Sequence, residues 1–188
     1  HPSELELNSV AQLVIDEAVR AGITDVVAIN GRNKHAIEDH FDHAFELERT
    51  LRDRNKTAEA DAVAAVSTMV RLISVRQKQP LGLGHAVLCA REAIGDESFA
   101  VLLGDDLIDP RDPLLTRMVD LREQHGGSVV ALMEVPRSQI HLYGCAAIEA
   151  IGDDPDVVRI TDLVEKPATD EAPSLYAVIG RYVLDPHV

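Results

Sequence analysis

The spacing of hydrophobic residues along the first two thirds of the chain predicts helices and strands in alternation. Four short apolar runs have the length of a buried strand: residues 25–29, 72–75, 99–103 and 128–134. Helices are predicted around them at residues 10–19, 34–41, 85–91 and 114–124, with two more between residues 43 and 70 that break near residues 53–56. This alternation is typical of a three-layer α/β/α fold in which parallel strands dominate the sheet.

The last third of the chain follows a different pattern. Three strands are predicted there without helices between them, at residues 143–150, 157–164 and 176–184. Strands that follow one another in this way form an antiparallel extension or the edge of a sheet. The fold class predicted for residues 1–188 is therefore α/β with a mixed sheet, in one domain.

The order of the first two elements is unusual for such a fold. A doubly wound sheet normally begins with a strand that becomes central, but this chain begins with a helix. Without that strand, its neighbours would hold unpaired backbone N–H and C=O groups, each costing about 1–3 kcal/mol. We therefore expect the sequence to be incomplete at its N-terminus.

The charge of the chain limits its partners. Lys and Arg number 18 against 32 Asp and Glu, which gives a net charge of −14. Such a field repels nucleic acids and acidic membrane surfaces, so neither is an expected partner. A small phosphorylated ligand would need local compensation from a Lys, from backbone N–H groups or from a divalent cation.

Hydropathy and cysteine content indicate a cytoplasmic protein. No apolar run approaches the roughly 18–20 residues of a membrane helix, and the first residues are acidic where a signal peptide would be basic. Cys89 and Cys145 are 56 positions apart and form no CxxC pair, so we interpret them as reduced thiols.

A glycine-rich loop lies between a predicted strand and a predicted helix, with the sequence RQKQPLGLGHA. Glycines allow a backbone to approach a ligand closely, and an amide such as Gln77 can pair with a donor and an acceptor on a pyrimidine edge. The loop suits a nucleotide, although Gly82 and Gly84 alone also fit an ordinary strand-to-helix turn.

Acidic residues end the third predicted strand. Asp105 and Asp106 lie at its carboxyl end, where open α/β sheets bind ligands, and carboxylates there suit Mg²⁺ held together with substrate phosphates. Asp105 is the predicted metal ligand. The alternative is a polar turn or helix cap, which is also a role open to the neighbouring Asp106.

Glu165 and Lys166 follow one another at the end of a strand in the antiparallel part. A carboxylate there can accept two sugar hydroxyls, and the Lys can neutralise a phosphate. The simpler alternative is a solvated surface ion pair.

Five segments in order and spacing carry a family resemblance from about Ser9 to the end of the chain: AGITDVVAINGRNKHAIEDHFD, VRQKQPLGLGHAVLCA, AVLLGDDLID, YGCAAIE and LVEKPATDEAPSLYAVIGRYVL. Together they resemble bacterial UTP:glucose-1-phosphate uridylyltransferases, which are sugar nucleotidyltransferases. The resemblance implies a Rossmann-like fold and the formation of UDP-glucose and pyrophosphate from UTP and glucose 1-phosphate. It also implies Mg²⁺ as cofactor and a homo-oligomer.

The resemblance assigns roles to nine residues. Gln77 and the backbone of Gly82 would read the uracil, and Gly84 and His85 would open the helix beside the nucleotide. Asp105 would hold Mg²⁺ and, with Lys166 at the sugar phosphate, would be catalytic. The sugar would be bound by Gly144, Glu165 and Gly180.

The sequence departs from the family at both ends. The glycine-rich signature GxGTRxxPxTKxxPK is absent, with Ser3 where the family has Lys, and the family's C-terminal portion is missing after Val188. Two alternatives stay open. One is a transferase for dTTP or another sugar 1-phosphate, since Gln77 can pair with uracil or thymine, and the other is a non-catalytic paralogue that binds a nucleotide sugar.

Overall fold

A computed structural model of the protein describes residues 4–32 and 35–188. The α-helices are α1 Glu4–Arg20, α2 His35–Phe41, α3 Phe45–Asp53, α4 Thr57–Thr68, α5 Leu83–Cys89, α6 Arg91–Ile94 and α7 Leu114–His125. The strands are β1 Asp25–Asn30, β2 Arg71–Arg76, β3 Phe99–Leu102, β4 Val129–Glu134, β5 Gly144–Ala150, β6 Val158–Glu165 and β7 Tyr176–Leu184, with a 3₁₀ helix at Arg137–Leu142. Ser3 and Lys34, the predicted start of the second helix, lie outside the described residues.

The predicted elements are confirmed with shifts at their ends. The first helix begins at Glu4, earlier than its apolar face indicated. The predicted break in the long helical region separates α3 from α4, and Asn55 there has a φ of 60°, a left-handed conformation that Asn tolerates better than most residues. The helix predicted at residues 85–91 is the pair α5 and α6.

The described strands form two separate sheets. Strands β1 and β2 pair in parallel from Asp25 opposite Arg71 to Asn30 opposite Arg76. The second sheet has five strands with β7 in the middle, because β4 pairs along one edge of β7 while β3 and β5 share the other. Strand β6 pairs with β5 on the outside.

The mixed character of the fold is confirmed, but the expectation that parallel strands dominate is wrong for the second sheet. Within the described residues, only β1 and β2 pair in parallel. Strands β3 and β4 run in the same direction, as their connection through α7 requires, yet they do not pair with each other, because β7 inserts between them antiparallel to both. The antiparallel extension predicted for the last three strands is present.

Helix α7 covers the face of the second sheet that is opposite the candidate site. Leu115 and Met118 of α7 pack against Ala131 of β4 and Val183 of β7.

Among the described helices, none has both the length and the apolar character needed to span a membrane. Cys145 is buried and Cys89 half-buried, and both are free thiols.

Candidate active site

The loop after β2 brings three predicted nucleotide residues together. The backbone N–H of Gln77 donates to the carbonyl of Asn30 at 3.0 Å, which extends the β1–β2 ladder by one residue. The side-chain Nε2 of Gln77 donates to the carbonyl of Gly82 at 3.1 Å and lies 3.0 Å from Nδ1 of His85. With both Nε2 hydrogens engaged, Oε1 of Gln77 is the amide atom left for a ligand.

The glycines of this loop leave room for a ligand. Gly82 has a φ of 96°, a conformation that favours glycine, and directly precedes α5. A Cβ added at Gly82 or at Gly84 would meet nothing within 4 Å. An open backbone therefore lies beside the Gln77 amide, as the sequence predicted.

The adjacent residues Asp105 and Asp106 differ in exposure and in hydrogen bonding. Oδ2 of Asp106 accepts a hydrogen bond of 2.7 Å from the backbone N–H of Gly180 on β7. Asp105 is exposed, and its carboxylate makes no hydrogen bond or ion pair within the part of the chain that the structure describes. The carboxylate that is free to take a ligand is therefore that of Asp105.

Among the glycines of the candidate site, Gly180 has the closest neighbouring atoms. A Cβ built there would lie 2.5 Å from Oδ2 of Asp106 and 2.6 Å from Cβ of Leu103. The sequence suggested that Gly180 closes a sugar pocket. The structure gives it a further role, because its missing side chain lets the Asp105 loop rest on β7.

We therefore expect Gly180→Ala to lower the free energy of unfolding by about 1–3 kcal/mol, because the added methyl group overpacks the contact with Leu103. Chemical denaturation monitored by circular dichroism measures the change. Gly31→Ala is the control, since a Cβ at Gly31 meets nothing within 4 Å and should change stability by about 0.5 kcal/mol or less. Equal stability of the two variants would contradict the proposed packing.

The sugar end predicted from the sequence is built on the β5–β6 pair. Gly144 lies opposite Glu165 in the register, and a Cβ at Gly144 would be 3.4 Å from Oε2 of Glu165. The backbone N–H of Lys166 donates to the carbonyl of Tyr143 at 3.1 Å, and Lys166 has a φ of 44°. This left-handed residue ends the strand and turns the chain.

Glu165 and Lys166 also form an exposed ion pair. Nζ of Lys166 lies 3.8 Å from Oε1 of Glu165, with 62% and 77% of the two side chains exposed. Solvent screening makes such a pair weak, so both charges remain available to a ligand.

Tyr182 is a candidate site residue that the sequence pattern did not indicate. It follows Gly180 by two positions on β7, so its side chain is on the same face of the sheet. Burial raises the pKa of the Tyr182 phenol, and the negative charges of Asp106 and Glu165 raise that pKa further. Charges from both the Asp105 loop and the predicted sugar end therefore act on its phenol, and its spacing from Gly180 was the signal that could have revealed it.

Comparison with known proteins shows the family to which the chain belongs. The sequence model described as nucleotidyl transferase matches residues 5–188. The chain belongs to this family. UTP–glucose-1-phosphate uridylyltransferase YngB of Bacillus subtilis (strain 168) is 45% identical over 174 residues, a match that covers 93% of this chain and 58% of the relative.

Solved structures of nucleotidyl transferases share the fold. Apo UDP-glucose pyrophosphorylase superposes with a TM-score of 0.85 at 38% identity, over 95% of this chain and 65% of that one. A UDP-glucose pyrophosphorylase complexed with UDP-glucose gives a TM-score of 0.82 at 37% identity, over 95% and 64%. The described α/β fold is therefore that of these enzymes, and the chain spans about three fifths of the length of the relatives it matches.

Proposed function

We propose that this protein transfers a uridylyl group from UTP to glucose 1-phosphate, giving UDP-glucose and pyrophosphate. The observation that carries the proposal is the position of two groups on β7: the N–H of Gly180 holds Asp106, next to the unpaired carboxylate of Asp105, and β5, which carries Gly144 opposite Glu165, pairs with the same strand. This arrangement supports a phosphate end beside a sugar end, and the solved structures of the family include a complex with UDP-glucose.

The base would bind at the loop after β2. Oε1 of Gln77 would accept from a pyrimidine N–H, and the open space beside the Gly82 backbone would let the base approach. The hydrogen bond to Nδ1 of His85 would hold the Gln77 amide in position. The missing side chain of Gly84 would leave the first turn of α5 accessible. Since uracil and thymine present the same N–H, a nucleotide panel in which dTTP is used faster than UTP would favour the related thymidylyl transfer instead.

The phosphates would bind near Asp105. Mg²⁺ is usually held by one or two carboxylates together with substrate phosphates, and the exposed, unpaired carboxylate of Asp105 fits the single-carboxylate case. No group of three potential metal ligands occurs among the residues described, so the substrate would supply the remaining oxygens. When bound, the ion neutralises charge on the phosphates. The loop that contains Asp105 would be held in place by the hydrogen bonds between its residues and Gly180 of β7.

The sugar would bind at the β5–β6 pair. Glu165 would accept two hydroxyls of the glucose ring, the missing side chain of Gly144 would let the ring approach, and Gly180 would border the pocket. Lys166 would bind the phosphate of glucose 1-phosphate, whose negative charge an overall charge of −14 otherwise repels.

The reaction that fits these ends is an in-line displacement. A phosphate oxygen of glucose 1-phosphate forms a bond to the α-phosphorus of UTP, and the bond from that phosphorus to the bridging oxygen of pyrophosphate breaks. The residues named above act by orientation and charge neutralisation, which supply most of the rate enhancement in such transfers. The cytoplasmic location and the homo-oligomer implied by the resemblance belong to the same proposal.

We expect Glu165→Ala to weaken UDP-glucose binding about tenfold, or ~1.4 kcal/mol, while UMP binding stays within twofold, because UMP has no sugar hydroxyls at this position. Calorimetric titration with both ligands tests the site. Glu149→Ala is a matched control, since Glu149 is an exposed carboxylate at the other end of β5. Equal losses for UMP and UDP-glucose in Glu165→Ala would remove the sugar end from this site.

A further inference from the structure

The segment from Leu103 to Asp106 is fastened to β7 at both of its ends. The backbone N–H of Leu103 donates to the carbonyl of Gly180 at 2.9 Å, and the N–H of Gly180 donates to Oδ2 of Asp106 at 2.7 Å. Gly104 and Asp105 lie between these two attachments, and the Asp105 carboxylate makes no hydrogen bond or ion pair with the described residues. Its orientation therefore depends on what holds its neighbours.

The side chain of Arg181 holds the same segment from the opposite face of β7. Nη1 donates to the carbonyls of Leu103 at 3.1 Å and Gly180 at 2.8 Å, and Nη2 donates to the carbonyl of Asp106 at 2.8 Å. The carbonyls of Leu103 and Asp106 flank Asp105 in the chain, one on each side. The guanidinium is 0% exposed, so water cannot replace these hydrogen bonds.

Glu17 of α1 neutralises this guanidinium. Its Oε1 accepts from Nε at 2.9 Å and its Oε2 accepts from Nη2 at 2.8 Å, and Glu17 itself is 5% exposed. All five N–H donors of Arg181 thus have an acceptor. Burial of such a pair is costly, and apolar residues of similar volume often stabilise a core equally well, so stability alone gives little reason for an arginine here.

We propose that Arg181, with Glu17 as its counterion, is a positioning residue that sets the orientation of Asp105 for metal binding. It fixes the carbonyls before and after Asp105, so that the free carboxylate is presented at the edge of the sheet in one conformation. The inference rests on the proposed function, in which Asp105 is the metal ligand. A displacement of 1 Å at such a site can cost about a hundredfold in rate.

The test uses the full-length protein with Mn²⁺ as probe in the presence of UDP-glucose. Electron paramagnetic resonance measures the amount of Mn²⁺ bound. The double variant Glu17→Leu/Arg181→Met removes both buried charges and should fold, because apolar replacement of a buried pair is often neutral for stability. We expect it to bind Mn²⁺ at least tenfold more weakly, while UMP binding without metal stays within twofold. Arg181→Lys keeps a charge beside Glu17 but cannot reach all the carbonyls, so it should also weaken Mn²⁺ binding. This variant replaces the double variant in the test if the double variant does not fold.

Asp105→Asn separates this inference from the function on which it rests. It should weaken Mn²⁺ binding strongly, and adding Arg181→Lys to it should cause no further loss, because both changes act on one carboxylate. Normal Mn²⁺ binding in Asp105→Asn would overturn the metal assignment itself. A defective Asp105→Asn together with normal Mn²⁺ binding in folded Arg181 variants would overturn only the positioning role.

Discussion

Asp105→Asn is expected to lower the rate of UDP-glucose formation by the full-length protein a hundredfold or more at saturating Mg²⁺. The amide removes the negative charge that would hold the cation, and charge stabilisation by a metal in phosphoryl transfer is worth several kcal/mol. Stability should change little, because the Asp105 side chain is exposed and makes no hydrogen bond or ion pair with the described residues. Steady-state assays of pyrophosphate release, with thermal unfolding in parallel, measure both quantities.

The neighbouring residue supplies the contrast for this experiment. Asp106→Asn keeps an oxygen that can accept the hydrogen bond from the Gly180 N–H, so its rate should fall far less than that of Asp105→Asn. A near-normal rate in Asp105→Asn with a large loss in Asp106→Asn would reverse the two assignments.

Lys166→Ala should weaken UDP-glucose binding by about 1.5–3 kcal/mol, the scale of a hydrogen bond to a charged group. In a chain of net charge −14, its ammonium is the cation that the proposed sugar end offers to a phosphate. If the residue served only in the ion pair with Glu165, whose side chain is 77% exposed, the loss would be close to zero. Calorimetry distinguishes the two magnitudes.

The backbone at this position provides a control for folding. Lys166 has a φ of 44°, and glycine adopts that conformation without strain. Lys166→Gly should therefore be at least as stable as the unmodified protein and still bind UDP-glucose weakly, whereas Lys56→Ala, at a distant exposed ion pair, should leave binding unchanged. Tight binding by Lys166→Gly would remove Lys166 from the site.

Local patterns predicted the elements and part of the site. The apolar run before Asp105 and the glycines after Gln77 are continuous in sequence, so strand ends and loop openings could be inferred from a few neighbouring residues. The antiparallel pairing of β5 and β6 was also predictable, because these strands follow one another closely, whereas the register that places Gly144 opposite Glu165 came from the structure.

Pairing between strands that are far apart in the chain could not be predicted from the sequence. Nothing in the local pattern indicates that β7 inserts between β3 and β4, since that depends on which strand edges are free after folding. For the same reason no local pattern indicated a role for Arg181. Its partner Glu17 is 164 positions away, and no periodicity links the two.

The central place of β7 also determines when this sheet can form during synthesis. Strands β3, β4 and β5 all precede β7 in the chain, and each uses an edge of β7. Until residues 176–184 leave the ribosome, those three strands have no common partner, and their open edges can pair with other nascent chains. Chaperone demand for this protein should thus be greatest while β3 to β6 have emerged and β7 has not.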